Sequence, residues 1–146
     1  MKRKFEGGEN MKAVYLGIFL DSSSADRLAR EQRTSLDNLV NNMHCTFSFR
    51  PSDAEAEAFS RLVGKHVALT VTGYGADAEN SGCLVDVPSD LQSFYHGSAR
   101  PHITVSLSEN GKAVNTGKLS FSSIDSFSVM GTCGIFSDSG KVLLSI

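Results

Sequence analysis

Several features that define common protein classes are missing from this 146-residue sequence. No apolar run comes near the roughly 18 consecutive residues of a membrane-spanning helix, so we expect no association with a membrane. The basic N-terminus has no apolar stretch behind it, which argues against a secretory signal peptide. Cys45, Cys83 and Cys133 are odd in number and lack Cys-x-x-Cys spacing, which argues against a disulfide framework and a zinc cluster. We therefore expect a cytoplasmic protein with no metal and no cofactor.

An excess of positive charge is also missing. The chain has 14 Lys and Arg against 16 Asp and Glu, which gives a net charge of −2. Proteins that bind long nucleic acids neutralise many phosphates with cations, so we do not expect a long nucleic-acid track. If the ligand carries phosphate, we expect a small nucleotide or an RNA terminus.

The sequence does contain the alternating strands and amphipathic helices of one domain. Residues 1–10 predict a flexible tail and residues 11–146 a single domain. Helices are predicted from Ser22–Ser24 to about Asn41, from the capping box Ser52–Glu55 to Gly64, and over 89–95. The fold class expected is α+β, an antiparallel sheet with its two main helices on one face. The predicted strands cover residues 13–20, 43–49, 66–74, 83–87, 102–107, 124–130, 133–137 and 141–146.

Two of these strands repeat the pattern His-x-Thr-x-Ser with an apolar residue at each x, in His44–Ser48 and His102–Ser106. Alternate side chains of a strand lie on one face. The three polar side chains of each copy should therefore share a face away from the helices, with Phe49 among the apolar side chains on the other face. One such pattern is usually structural, whereas two copies in a chain of four histidines indicate a shared site. Two imidazoles can act as general acid and base near neutral pH, and a nearby threonine can donate to phosphate oxygens.

The paired motifs His44–Phe47 and His102–Val105 resemble the His-φ-Thr-φ signatures of the two-histidine (2H) phosphoesterase superfamily, in which φ is apolar. The resemblance extends over roughly residues 12–146. It implies a bilobal antiparallel sheet with pseudo-two-fold symmetry and two main helices packed outside a central groove. It also implies metal-independent cleavage of phosphodiesters, often 2′,3′-cyclic phosphates. By its length the chain is similar to the compact branches, namely tRNA-ligase cyclic phosphodiesterase domains and phage anti-CBASS nucleases that degrade cyclic oligonucleotides.

The same resemblance implies roles for four residues. His44 and His102 become the acid/base pair, in either order, and Thr46 and Thr104 become the phosphate ligands. The function predicted is therefore a phosphodiesterase that acts on 2′,3′-cyclic phosphates or small cyclic oligonucleotides. One alternative is a non-catalytic module of the same fold that binds a nucleotide or an RNA end, and another is a structural domain that binds a partner.

Residues around the motifs complete the predicted site. From strand parity, Tyr15 and Tyr74 are predicted to stack on a nucleobase, with a plain lining of the sheet face as the alternative. Two histidines without a threonine two residues further on are interpreted as surface residues, His66 and His96, with a place at the border of the groove as the alternative for His96. Three cations are interpreted as solvated charges, with contact to a phosphate as the alternative: Arg50, Lys65 and Arg100.

Overall fold

The computed structural model describes residues 3–4 and 10–145. Two α-helices, α1 (Ser22–Glu31) and α2 (Asp53–Ser60), and two 3₁₀ helices, η1 (Ser89–Phe94) and η2 (Ala113–Lys118), lie within these ranges. The strands are β1 (Arg3–Lys4), β2 (Asn10–Met11), β3 (Ala13–Leu20), β4 (Asn38–Leu39), β5 (His44–Phe49), β6 (His66–Ala76), β7 (Asn80–Asp86), β8 (His102–Leu107), β9 (Ser122–Ser137) and β10 (Val142–Leu143). None of the described helices has the length and apolar character needed to cross a membrane.

Six antiparallel strands close into a barrel. Their order is β9-β3-β5-β8-β7-β6, and β6 pairs again with β9. The length of β9 permits this closure, because its residues 122–132 pair with β6 and its residues 131–137 pair with β3. The short strands β10 and β4 extend the sheet beside β9 and β8. The predicted α+β class with an antiparallel sheet is confirmed.

Helix α1 is half the length that its sequence predicts. It begins after Asp21, whose carboxylate accepts a hydrogen bond from the Ser24 amide at 2.8 Å, and it ends at Glu31. The prediction of a helix to about Asn41 was wrong, because four of the five residues in 34–38 are poor helix formers. The chain instead forms β4, which pairs with the end of β8 and satisfies backbone groups at that edge.

The capping box that opens α2 is confirmed. The Ser52 hydroxyl accepts a hydrogen bond from the Glu55 amide at 3.1 Å, and the Glu55 carboxylate accepts one from the Ser52 amide at 3.2 Å. The helix ends at Ser60, four residues before Gly64, whose φ of +94° belongs to the left-handed region that favours glycine. The chain then enters β6.

The two helices close the core at different strands. Phe47 of β5 packs its ring on Phe59 of α2 and on Tyr95 just after η1, with centroid distances of 5.8 and 5.7 Å. Leu28 of α1 is fully buried, and the Ser24 hydroxyl accepts a hydrogen bond from the Met130 amide of β9 at 2.8 Å. The apolar side of β5 is therefore the side covered by α2 and η1.

The two ends of the chain differ from the prediction in detail. The strands predicted over 124–130 and 133–137 are one strand, β9, because Gly131 and Thr132 between them pair with both β3 and β6. The last predicted strand shortens to β10, and residue 146 lies outside the described residues. Of the predicted tail, residues 1–2 and 5–9 also lie outside them, while β1 pairs with β2.

Candidate functional site

The two histidine-bearing strands, β5 and β8, are neighbours in the barrel. They meet at a single residue pair, in which Cys45 lies opposite Ile103, and both side chains are fully buried. Alternation then places the side chains on either side of this pair on the opposite face of the sheet. The structure therefore brings together the four residues that the motifs single out, all of them half-buried: His44, Thr46, His102 and Thr104.

Both imidazoles are held by the same kind of hydrogen bond. Nδ1 of His44 donates to the carbonyl of Asn42 at 2.8 Å, and Nδ1 of His102 donates to the carbonyl of Arg100 at 2.7 Å. A carbonyl can only accept, so Nδ1 carries the hydrogen in each ring. In the neutral ring the lone pair is then on Nε2, which is the atom able to exchange a proton with a ligand.

A β-bulge follows the threonine in both strands. Phe47 and Ser48 of β5 together face one position of β3, and Val105 and Ser106 of β8 together face one position of β7. A bulge of this kind locally interrupts the alternation of faces. The two motifs thus share an irregularity at the same place, in addition to their residue types.

The bulges overturn the prediction that the serines share a face with the histidines. The Ser48 hydroxyl donates to Glu55 of α2 at 2.8 Å, and the Ser106 hydroxyl donates to Gln32, just after α1, at 2.9 Å. Both serines are buried on the side of the helices. They fasten the motif strands to the rest of the fold and do not face a ligand.

A glycine lies opposite each threonine of the motifs. Gly17 of β3 opposes the first threonine, and Gly82 of β7 opposes the second. A Cβ on Gly17 would overlap the carbonyl oxygen of Cys45, and a Cβ on Gly82 would lie 2.7 Å from the carbonyl oxygen of Ile103. The bulged backbone therefore approaches its neighbour too closely for any side chain at these two positions.

Aromatic rings surround the His44 imidazole. Tyr15 stacks on it with a centroid distance of 4.6 Å and an interplanar angle of 21°, and Phe19 meets it edge-on at 5.3 Å. Phe136 of β9 stacks on Tyr15 at 4.9 Å. Since β3 lies between β5 and β9, the two stacked neighbours lie on opposite faces of Tyr15. The structure thus brings Tyr15 to the site, as a ring that holds His44 in place.

The rings around His44 bury its imidazole and lower its pKa. Burial lowers the pKa of the His44 imidazole because it disfavours the charged form, the carbonyl of Asn42 opposes that effect, and a charge on His102 lowers the pKa further. Burial raises the pKa of the Tyr15 hydroxyl.

A buried network that the sequence analysis missed holds the second threonine. The Thr104 hydroxyl donates to Thr116 Oγ1 in η2 at 2.8 Å, and Thr116 Oγ1 also accepts from Asn80 Nδ2 at 2.9 Å. A Cβ on Gly117 would lie 3.0 Å from Cε1 of His102, so η2 borders the second motif. Because η2 is one short 3₁₀ segment without strand or helix periodicity, no sequence pattern pointed to it.

Tyr74 does not join this group. Its ring is only 8% exposed, and its hydroxyl accepts from the Thr34 amide at 3.0 Å and donates to the Thr34 carbonyl at 3.1 Å. A β-bulge in β6 places Thr72 and Gly73 together opposite a single residue of β7. This bulge turns Tyr74 to the buried side of β6, where Val71 also lies.

The other predicted surface groups lie outside the histidine pair. His66 and His96 are exposed, and His96 Nε2 lies 3.7 Å from Glu55 of α2. Lys65 forms a salt bridge of 3.1 Å with Asp90. Arg100 contributes its main-chain carbonyl to His102, as described above.

Within residues 12–145, no three His, Cys, Asp or Glu side chains lie close enough together to bind a metal ion. No protein-family model matches the chain, and no curated protein matches it. The geometry of the two motifs is therefore the basis for a functional assignment.

Proposed function

We propose that this chain is a metal-independent phosphodiesterase in which His44 and His102 act as general acid and base on one phosphodiester. The observation that carries the proposal is that the two motifs repeat one local structure on adjacent strands. In each, a main-chain carbonyl two residues earlier holds Nδ1, a bulge follows the threonine, and a glycine lies opposite it. This repeat supports the pseudo-two-fold, bilobal arrangement of the two-histidine superfamily.

Cleavage of a phosphodiester needs one group that takes a proton and one that gives a proton, and two histidines can fill both roles. One neutral histidine takes a proton from water as the water oxygen attacks phosphorus. The bond from phosphorus to the ribose oxygen breaks, and the other histidine, as imidazolium, gives its proton to that oxygen. In a 3′,5′ linkage the base instead takes the proton of the neighbouring 2′-hydroxyl as its oxygen attacks phosphorus, and the acid protonates the 5′-oxygen as its bond to phosphorus breaks. The Thr46 hydroxyl stabilises the charge on the non-bridging oxygens by a hydrogen bond, and the Thr104 hydroxyl does the same when it turns from Thr116 to the phosphate.

The surroundings of the two rings favour one assignment of roles. Burial among aromatic rings lowers the pKa of His44, so His44 is neutral over a wider pH range than an exposed histidine. A neutral ring with its lone pair on Nε2 is the form required of a base. We therefore assign the base to His44 and the acid to His102.

The net charge of the chain supports a small substrate. With a net charge of −2, the chain has no excess of cations for a long nucleic acid. A 2′,3′-cyclic phosphate at an RNA end or in a nucleotide, or a small cyclic oligonucleotide, suits the site. The three cysteines are free thiols, which supports a reducing compartment such as the cytoplasm.

The test is turnover in the presence of EDTA. The purified protein is incubated with 2′,3′-cyclic nucleotides and with cyclic di- and trinucleotides. His44→Asn and His102→Asn should each lower kcat by about 10²-fold or more, as loss of a general acid or base does. The double variant should be little worse than either single variant, because the two groups act as one unit.

His66→Asn is the matched control, since His66 is exposed and outside the site; it should retain full turnover. Loss of activity in EDTA with rescue by one divalent metal would refute metal independence. Binding without turnover in the wild-type protein would instead identify a nucleotide-binding module. If turnover of the motif variants falls only in proportion to their folded fraction, the histidines are structural.

A further inference from the structure

One large apolar side chain beside the first motif is left uncovered. Phe49, the last residue of β5, is 63% exposed. Simple alternation predicts it among the core residues, but the bulge at Phe47 and Ser48 changes its face. Phe49 lies directly opposite Tyr15, and directly opposite residues of antiparallel strands share a face. Because Tyr15 stacks on His44, Phe49 is on the histidine face of the sheet.

The distance between Thr46, the proposed phosphate-binding residue, and Phe49 matches the length of one nucleoside. Thr46 and Phe49 are three residues apart on β5, which is about 10 Å at the usual rise per strand residue and somewhat less across a bulge. A phosphate bound by the Thr46 hydroxyl would therefore place the base of its own nucleoside near the Phe49 ring.

A cation accompanies the exposed ring. Arg50 has a φ of +51°, in the left-handed region, and its amide donates to the carbonyl of Val14 at 2.7 Å, which fixes this turn. The Arg50 guanidinium carbon lies 5.3 Å from the centroid of the Phe49 ring. At the corresponding place after the second bulge is Leu107, which offers no ring. The aromatic surface is thus on one side of the histidine pair.

We propose that Phe49 and Arg50 form the nucleobase-binding platform of the site. The base stacks on the Phe49 ring, and the Arg50 guanidinium packs on the same stack. The inference rests on the proposed function and narrows its substrate class to phosphodiesters that carry a nucleobase on the β5 side. Stacking accepts any base, so purine and pyrimidine nucleotides should both be substrates.

The experiment compares two substrates that differ only in the base. Adenosine 2′,3′-cyclic phosphate carries one, and the 2′,3′-cyclic phosphate of methyl β-ribofuranoside does not. Phe49→Ala should raise KM for the adenosine substrate about tenfold or more, which lies within the range of one lost base stack, and should leave kcat unchanged. Both constants for the methyl riboside should stay at the wild-type values. Phe49→Trp should restore KM, and Leu107→Ala is the control that should behave as wild type.

Equal effects of Phe49→Ala on both substrates, or no effect on either, would overturn the platform. Calorimetric binding of adenosine 3′-monophosphate separates this outcome from failure of the proposed function. If the wild-type protein turns over neither substrate but binds this nucleotide with a Kd that depends on Phe49, only the phosphodiesterase proposal fails. If turnover is present without any dependence on Phe49, only the platform fails. If the wild-type protein shows neither turnover nor binding, both are wrong.

Discussion

Removal of one buried hydroxyl tests how the second motif is built. Thr116→Val keeps the shape of the side chain and removes the oxygen that accepts hydrogen bonds from Thr104 at 2.8 Å and from Asn80 at 2.9 Å. Asn80 Nδ2 keeps its bond to the carbonyl of Lys112 at 2.7 Å but loses a partner for its second hydrogen. Asn80 and Thr116 are both buried, so water cannot readily replace that partner. A buried donor left unsatisfied costs about 1–3 kcal/mol.

We therefore expect Thr116→Val to lower the free energy of unfolding by about 1–3 kcal/mol. Urea denaturation followed by far-ultraviolet circular dichroism measures this change, since the chain has no tryptophan to report it. A double-mutant cycle isolates the bond to Thr104. Thr104→Val should cost less in the Thr116→Val background than in the wild type, by about 0.5–1.5 kcal/mol, which is the usual net value of one hydrogen bond. Thr116→Ser keeps the hydroxyl and should retain the coupling.

Two results would refute this reasoning. One is a Thr116→Val variant that unfolds within about 0.5 kcal/mol of the wild type, the range of an ordinary surface substitution. The other is a cycle in which the two substitutions are additive within about 0.3 kcal/mol, as independent sites are. Either would show that η2 does not hold Thr104.

Three further predictions concern ionisation and packing. Burial lowers the pKa of His44 in the folded protein. The stability that this shift contributes is therefore complete above the pKa of about 6.5 in the unfolded chain, and it is lost as the pH falls through the lower pKa of the folded protein. Urea denaturation between pH 7 and 5 should show this loss in the wild type and a smaller one in His44→Asn; equal losses would contradict it. Burial raises the pKa of Cys45 and Cys83 to about 12 and that of Cys133 to about 11. Iodoacetamide at pH 8 should therefore alkylate all three cysteines only in urea. Rapid labelling of the native protein would show that the thiols are not buried. Gly17→Ala should lower the free energy of unfolding by about 1–3 kcal/mol, since its Cβ would overlap the carbonyl oxygen of Cys45; an unchanged urea midpoint would argue against the close approach.

Local sequence signals predicted the elements that local interactions determine. The apolar segment at residues 13–20 is β3, and the serine and glutamate of the capping box open α2 as expected. Both motif strands were also found, because their alternation is regular up to the threonine. For the same reason the four motif residues could be placed on one face before the structure was known.

The errors arise where the structure depends on a second strand. A bulge is defined by the number of residues on the partner strand, which the sequence of one strand does not contain. Strict alternation therefore placed Ser48, Ser106 and Phe49 on the wrong faces, and a bulge in β6 moved Tyr74 into the core in the same way. The early end of α1 has a local reason in the poor helix formers of residues 34–38, whereas β4 has a non-local one, because it forms on an edge of β8 that lies far along the chain.

The narrow junction between β5 and β8 has a mechanical consequence. The two strands share one residue pair, Cys45 and Ile103, whereas the other junctions of the barrel extend over several pairs. This junction has the fewest paired residues of the barrel, so we expect local opening of the barrel to begin there. Low-energy opening of this kind appears as fast exchange of backbone amide hydrogens. Because His44 and His102 each precede one member of this pair, such opening would change the distance between the two imidazoles.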